Sequence, residues 1–428
     1  MRTHRARPWR SAIHGAAAVA LVVGPLGAQV VARPADGPPL TVTHAMALAR
    51  SRHPALAAAS ARGQAAVGLA RREAALPNPV LEWRQEHLAS PLAPDAFLTV
   101  VQPIDLTGRR LALRAEVADV AARAAADSVT IARNVESGAA RAFWQTALAH
   151  AQADVAALQR ADAERLATIE AERAREGAVA ELAAMRAGVE AERARLVEAT
   201  ARAELARASA ELARATGVAA AALPPVPALE PAAPPVASLP SPAAVLAAAL
   251  ERRSELTALR AAVEASRHRS SAARRGALPD VTLQAGTKRT AGYTTRTLGV
   301  AVPLPLLDRN AGGRQQADAA LRLAQAELLA GEQAVRVEVT GALDGLRALH
   351  DARTTGADSL AARAAEVARV ADAAYAAGGG TLLELLDARR ARAEALTTAL
   401  RWAAELRLAR LELNRVSGAP LLQDLETP

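Results

Sequence analysis

Apolar and polar positions recur along most of this chain with the period of a long, packed helix. In residues 109–176, leucine, valine and isoleucine recur three and four residues apart, which places them along one side of a helix and favours coiled-coil packing. Residues 310–377 form the corresponding segment later in the chain. Each long segment runs to a glycine and is followed by a shorter helical pattern, at 181–217 and at 381–417. The pattern predicts two helical hairpins whose long arms measure about 100 Å at 1.5 Å per residue.

Before each long arm, apolar and polar positions follow the two-residue period of a β-strand. Residues 80–102 and 281–302 each contain two short runs with partial alternation of apolar and polar positions, and such a pair of runs predicts a β-hairpin. A single helix is expected before each pair, at about 41–75 and 243–276. The residues expected on the apolar strand faces are Leu81 and Trp83, Phe97 and Val101, and Leu298, Val300 and Val302.

The order of these elements occurs twice. The segment "VVQPIDLTGRR" (Val100–Arg110) corresponds to "VAVPLPLLDRNAGGR" (Val300–Arg314), and "ELARATG" corresponds to "ELNRVSG". We therefore divide the chain into a first repeat at 29–222, a linker at 223–242 whose eight prolines make it stiff, and a second repeat at 243–428. The helix lengths place both strand pairs at one end of a rod, both glycine turns at the other, and the linker at mid-height.

Composition supports a thin, elongated molecule. Hydrophobic residues make up 51% of the chain and aromatic residues only 2%, so long helices packed through small side chains are expected. The net charge of +8 comes from arginines that alternate with acidic residues, which is typical of an ion-paired helix surface. Nucleic-acid binding is not expected.

Catalytic and metal chemistry are also not expected. The chain has no cysteine, and its histidines are scattered without an i,i+4 His/Glu pair that would indicate a metal site. No glycine-rich phosphate loop follows a strand, and no Ser/His/Asp set can be assembled. We expect no enzyme activity, no catalytic residue and no cofactor.

The first residues have the pattern of an export signal. Basic residues in "MRTHRARPWR" precede a short apolar run and the small residues Gly27 and Ala28, so residues 1–28 are predicted to be a signal peptide. No other window approaches the ~18 continuous apolar residues of a membrane-spanning helix. The mature chain is expected to be periplasmic, secreted, or held in an outer membrane by its strands.

Four strands cannot close a barrel on their own. The open edges would leave backbone N–H and C=O groups unpaired, which is prohibitive inside a membrane. Two interpretations remain from the strands alone: the strands form a small soluble sheet, or several chains pool them into one barrel.

The ordered and duplicated set of segments resembles the TolC-type outer-membrane efflux proteins over residues 41–418. The "HPAL" and "LPNPVLEW" segments look most like the branch that serves heavy-metal and other cation efflux. The resemblance implies a mainly helical homotrimer with a 12-stranded barrel in the outer-membrane lipid of a Gram-negative bacterium and a helical tunnel in the periplasm. It also implies a passive duct for heavy-metal cations or drugs that docks on a periplasmic adaptor, which connects it to an inner-membrane RND pump.

The stretch "YAAGGGTLLELLDARR" (Tyr375–Arg390) carries the candidate site. From spacing alone, Thr381 and Glu384 suit a capping box at the start of a helix, and Asp387 suits a favourable position near the helix dipole. The resemblance implies a second role, because the family marks its constricted periplasmic mouth with a similar set. The implied gate residues are Tyr375, Gly380, Glu384 and Asp387, and the implied adaptor-contacting tip residues are Gly177, Gly378 and Thr381.

Two acidic rings would then surround the mouth of a trimer, favour cations, and raise the pKa values of one another's carboxyl groups by repulsion. One departure concerns Gly380, which stands where the TolC pattern has an arginine that helps to lock the closed mouth. Two other classes of protein stay open from the sequence: a periplasmic adaptor, which would have one hairpin and more β structure, and a structural coiled-coil protein, which would not need the strands.

Overall fold

The computed structural model describes residues 38–87, 94–231, 239–352 and 358–418. Within them the chain is mainly helical with one four-stranded sheet, so the predicted fold class is confirmed in this respect. The predicted signal peptide at 1–28 lies outside the described residues. In the part of the chain that the structure describes, no helix is both long and apolar enough to cross a membrane.

The first repeat contains α1 (Val42–Arg52), α2 (Pro54–Ala74), β1 (Val80–Glu86), β2 (Asp95–Ile104), α3 (Arg109–Arg175) and α4 (Glu181–Thr216), followed by a short 3-10 turn at Ala220–Ala222. The second repeat contains α5 (Pro242–Arg252), α6 (Ser254–Arg275), β3 (Val281–Thr290), β4 (Tyr293–Ala301), α7 (Ala311–Ala352), α8 (Asp358–Ala376) and α9 (Leu382–Ser417). Residues 353–357, between α7 and α8, are outside the described part of the chain.

The single helix expected before each strand pair is wrong in both repeats, because each is divided in two. His53 has an extended backbone (φ −70°, ψ 125°), as expected for a residue that precedes a proline. Arg253 has nearly the same backbone (φ −70°, ψ 123°) without a following proline. The end of a return helix lies against each break: α4 ends beside the first break and α9 beside the second. A Cβ on Gly217 or Gly418, the residues that follow these helices, would lie 3.1–3.2 Å from the backbone of Arg52 or Arg252.

The helices under the sheet follow the order of the strands. The sheet is antiparallel with the order β1-β2-β3-β4, so β2 and β3 join the two repeats. Below it, α2 packs on α3, α3 on α6, and α6 on α7. Towards the far end, α3 packs on α4 and α9, while α8 packs on α9.

The main core lies at mid-height, where the apolar spacing of α3 changes. Phe143 and Trp144 are almost fully buried there and meet edge to face, with ring centroids 5.0 Å apart. The chain after α4 closes over this core, with the N–H of Leu229 donating to the Ala147 carbonyl at 3.0 Å. The Arg407 guanidinium lies 5.1 Å from the centre of the Trp144 ring. Among the described residues, the fully buried aromatic side chains lie at this level, and most buried side chains of the arms on either side are alanine.

Candidate gate at the hairpin tips

Two turns stand at the end of the molecule opposite to the sheet. α3 ends at Arg175 and is followed by Gly177 with φ 73°, and α8 ends at Ala376 and is followed by Gly378 with φ 75°. This left-handed backbone is open to glycine at little cost and terminates each long arm. Both sequence-predicted tip glycines therefore lie in the turns themselves.

Thr381 begins the return helix of the second turn. Its hydroxyl accepts from the Glu384 N–H (3.2 Å), and its own N–H donates to Glu384 Oε2 (2.8 Å), so the capping box expected from the spacing is present. The hydroxyl also donates to the same carboxylate oxygen at 2.9 Å. The pKa of the Glu384 carboxyl is lowered because the backbone and then the side chain of Thr381 donate to it. In a single chain, the Glu384 pKa is therefore shifted down, whereas repulsion between acidic rings was expected to raise it.

Tyr375 connects the second hairpin to the first. Its hydroxyl donates to Glu170 Oε1 on α3 at 2.6 Å, and Arg173 donates to the same oxygen at 3.3 Å. The Arg173 guanidinium also lies 5.7 Å from the centre of the Tyr375 ring. Burial, and then the hydrogen bond to Glu170, raises the pKa of Tyr375. Glu170 itself is fully buried, so this contact has no competition from solvent.

The Asp387 carboxylate takes no part in the helix cap that occupies Glu384. It is exposed, and its nearest cation is Arg390 on the same helix at 3.5 Å. Arg390 reaches from α9 across to Glu190 on α4, with 3.0 Å between Nη2 and Oε2. Of the two predicted acids, only Asp387 presents a carboxylate that is not already used by a helix cap.

Gly380 is held close to the preceding helix. Its N–H donates to the Ala374 carbonyl at 3.1 Å, and a Cβ at this position would lie 3.1 Å from the Tyr375 nitrogen. A side chain here would need its neighbours to shift. The arginine of the TolC pattern therefore has no ready equivalent at this turn, whereas Arg173 of the first hairpin lies within hydrogen-bond distance of Tyr375.

The predicted gate residues do not form a single cluster. Tyr375 contacts α3, Glu384 caps α9, and Asp387 lies one turn further along α9. Sequence reasoning missed the partners, which are Glu170, Arg173, Glu190 and Arg390. An available signal was the Glu170/Arg173 pair, one helical turn apart and just before Gly177. Among the described residues, no group of three or more His, Cys, Asp or Glu could hold a metal ion.

The sheet at the opposite end has one apolar and one polar face. The register aligns Leu81, Val100, Ala285 and Leu298 across all four strands, and next to them Trp83, Leu98, Thr287 and Arg296. The large apolar side chains of these two rows are 44–79% exposed in the single chain. The apolar face expected from Phe97 and Val101 is wrong: both lie on the opposite face, because the strand pairs one residue out of the expected phase.

Phe97 on that opposite face is surrounded by cations. The Arg84 guanidinium lies 4.7 Å and the Lys288 ammonium 5.0 Å from the centre of its ring. The same face also carries Glu82, Gln284 and Thr297. It is therefore polar and compatible with water.

The comparisons with known proteins agree with this architecture. Residues 245–419 match the outer membrane efflux protein family. No curated protein sequence matches the chain significantly.

Among solved structures, the outer membrane protein VceC from Vibrio cholerae is 20% identical, with a TM-score of 0.73 over 88% of this chain and 96% of its own. A membrane protein from Pseudomonas aeruginosa is 19% identical, with a TM-score of 0.76 over 90% and 92%. The open state of the MtrE outer membrane channel from Neisseria gonorrhoeae is 18% identical, with a TM-score of 0.70 over 90% and 91%.

At these identities the structural matches establish the fold, and the family match establishes the sequence relationship over the second repeat. The matched family is one of outer-membrane efflux proteins, in agreement with the predicted localisation, and it consists of efflux channels rather than enzymes. The predicted resemblance to TolC-type outer-membrane efflux proteins is therefore confirmed as a sequence match over residues 245–419 and as a shared fold with solved outer-membrane channels.

Proposed function

We propose that this chain is the passive outer-membrane duct of a tripartite efflux system and acts as a homotrimer. The observation that carries the proposal is the four-stranded, two-faced sheet with free edges at β1 and β4, placed at one end of a rod of coiled-coil helices. Three such sheets joined edge to edge give the 12 strands of a closed barrel and leave no edge unpaired.

The two faces of the sheet fit opposite solvents. Leucine, valine and tryptophan on one face suit the hydrocarbon of the outer membrane, and the charged and hydroxyl side chains on the other suit a water-filled lumen. A soluble sheet of this size would cover its apolar face, yet Trp83 and Leu298 remain 67% and 79% exposed in the single chain. The sheet therefore favours the shared barrel over the small soluble sheet.

The tips are the proposed gate and adaptor-docking end. Tyr375 ties the second hairpin to the first through Glu170, and the turns at Gly177 and Gly378 with Thr381 form the surface that the adaptor would meet. Opening would separate these hairpins and break the Tyr375 contact. Energy for transport would come from an inner-membrane RND pump through the adaptor.

The proposed cargo class is cationic, heavy-metal ions in the first place and cationic drugs in the second. Asp387, repeated three times around the mouth, would supply an exposed ring of negative charge. Glu384 would supply a second ring, and the pKa of its carboxyl is lowered because Thr381 donates to it.

Membrane fractionation tests the duct. The protein is expressed in a Gram-negative host, and the outer-membrane fraction is run on a denaturing gel with and without boiling. We expect the chain in the outer membrane as a heat-sensitive trimer. A soluble monomer would contradict the proposal and favour a periplasmic adaptor or a structural coiled coil.

Selectivity tests the cargo class. Glu384→Gln with Asp387→Asn should lower the cation preference measured by reversal potentials in planar bilayers. Glu176→Gln with Glu181→Gln, which removes the same charge from the first turn, is the matched control and should change the preference less. Equal effects would assign the selectivity to general surface charge.

A further inference from the structure

The charged side chains of the sheet are divided unequally between its two faces. The acidic residues of the described strands all lie on the polar face, and they are Glu82, Glu86 and Asp95. The two cations of that face are paired with two of these acids, Arg84 with Glu86 at 3.4 Å and Lys288 with Asp95 at 3.7 Å. The cations of the polar face are therefore neutralised by side chains of the sheet itself.

The apolar face carries two cations and, within the described strands, no acid. Arg289 on β3 and Arg296 on β4 are exposed, and neither forms an ion pair or a side-chain hydrogen bond in the part of the chain that the structure describes. Their neighbours across the two strands are Thr294 and Thr287, so the two arginines are diagonal to each other. Diagonal positions lie about 7–8 Å apart, and long side chains can reach across that distance. Two like charges this close repel each other, whereas an anion between them would be attracted by both.

The two arginines lie near the end of the sheet that is farthest from the helices. β3 and β4 are joined at that end by Ala291 and Gly292, whose φ values are 49° and 88°. Arg289 follows Val281 by eight residues, which is about 27 Å along the strand and about 20 Å in height at the usual tilt of a barrel strand. The outward apolar band of an outer-membrane barrel is about 25 Å tall, so the arginines come to its edge, where a charge costs far less than at the midplane.

We propose that Arg289 and Arg296 of each copy bind a phosphate group of a phosphorylated glycolipid in the outer leaflet of the membrane. The inference rests on the proposed function, since it takes the apolar face to be the outside of the barrel. The helices would then enter the periplasm from one end of the strands, and the opposite end, with the arginines, would lie in the outer leaflet. Arginine donates in a planar fork that matches the geometry of phosphate, and Thr294 adds a hydroxyl donor beside it.

The occupant is a lipid headgroup rather than a soluble anion because the cations continue the apolar face. On β4, Leu298 and Val300 follow Arg296 towards the helices, and these two side chains are 79% and 63% exposed. Trp83, 67% exposed, lies in the same row as Arg296, and tryptophan is enriched where headgroups meet hydrocarbon. A phosphate held by the arginines would place the acyl chains of its lipid along these side chains. A soluble anion would make no use of them.

Lipid binding by the purified trimer tests the site. The trimer is prepared in a neutral detergent, titrated with bisphosphorylated lipid A, and the bound lipid is counted by native mass spectrometry. Arg289→Gln with Arg296→Gln should weaken binding roughly 10- to 30-fold, as expected for two cations at an anionic lipid surface. Arg84→Gln with Lys288→Gln removes the same charge from the opposite face of the same sheet, is the matched control, and should bind the lipid as the unchanged chain does.

The unchanged chain tests the chemistry without any substitution. Lipid A that lacks both phosphates should bind much more weakly than the phosphorylated form, and an equal concentration of inorganic pyrophosphate should not displace the phosphorylated form. Equal binding of the two forms of lipid A overturns the inference and leaves the duct intact.

Three other results would also overturn the glycolipid site alone. These are displacement by pyrophosphate, equal binding of phosphatidylglycerol, and equal weakening in the control variant, which would assign the effect to a soluble anion, to any anionic lipid, or to general charge. A chain that forms no heat-sensitive trimer overturns both proposals.

Discussion

The two tip turns have the same backbone and different side chains. Both end a long helix with a glycine at positive φ, Gly177 at 73° and Gly378 at 75°. The first return helix then starts at Ala180 without a side-chain cap, whereas the second starts at Thr381 with a complete capping box. The second turn also carries Tyr375, which the first hairpin holds through Glu170. The two turns therefore share the backbone that connects the helices, whereas the capping box and the tyrosine belong to the second turn.

The largest difference between the turns should come from the buried contact. Glu170→Ala removes the acceptor of Tyr375 and Arg173, and the loss of a buried hydrogen-bond partner costs about 1–3 kcal/mol. Hydrogen exchange of residues 370–376 should become faster by a corresponding amount, with little change at 181–187. Glu170→Gln keeps an acceptor and should have a smaller effect. Unchanged exchange in the alanine variant would mean that the contact does not couple the hairpins.

The glycines should behave alike. No atom lies within 4 Å of a Cβ built on Gly177 or Gly378, so Gly→Ala costs only the left-handed backbone, about 1–2 kcal/mol at each turn. Amide hydrogen exchange should rise by the same factor at the first turn in Gly177→Ala and at the second turn in Gly378→Ala. A clear inequality would show that one turn depends on more than its backbone.

The capping box should be transferable. Thr381→Ala should destabilise the start of α9 by about 1 kcal/mol. Ala180→Thr with Ala183→Glu places the same residues at the same spacing in the first turn, and it should slow exchange at the start of α4 by a similar factor. If the transplanted box has no effect, the first turn cannot adopt the cap geometry of the second.

The smallest effect is a pH dependence confined to the second turn. Because the pKa of Glu384 is lower in the folded chain than its ordinary value of 4.5, the carboxylate stabilises the cap at neutral pH. That stabilisation is lost as the pH falls from about 4.5 through the folded pKa. Exchange at 382–385 should rise in this acidic range, after correction for intrinsic rates, and Glu384→Gln should abolish the dependence. A similar rise at 181–184, where no such cap exists, would point to general acid unfolding.

The spacing of apolar positions and the repeated order of the elements made the fold predictable. The long arm of α3 runs over Arg109–Arg175, where apolar spacing predicted 109–176, because such an arm depends on local pattern alone. The break at Arg253 was not predictable, since no proline marks it and the segment that lies against it, the end of α9 at Gly418, is far along the chain. The side chains on each face of β2 also depend on the register with β1 and β3, which a short alternating run does not specify.

The candidate site was predictable only in part. Thr381 and Glu384 interact within one helical turn, so their spacing was sufficient. The partner of Tyr375 lies 205 residues earlier, and no local pattern relates the two positions. Gly380 is close to Tyr375 and Ala374 through the backbone of the turn itself, a constraint that emerges only in three dimensions.

Conductance of the purified protein in a planar bilayer tests the central claim most directly. A trimeric duct with a tip held by Tyr375 should give uniform single-channel steps of low conductance, and Glu170→Ala should increase their size because the hairpins at the mouth are no longer tied. Insertion of a heat-sensitive trimer that carries no current in either form would contradict the account of this chain as a channel.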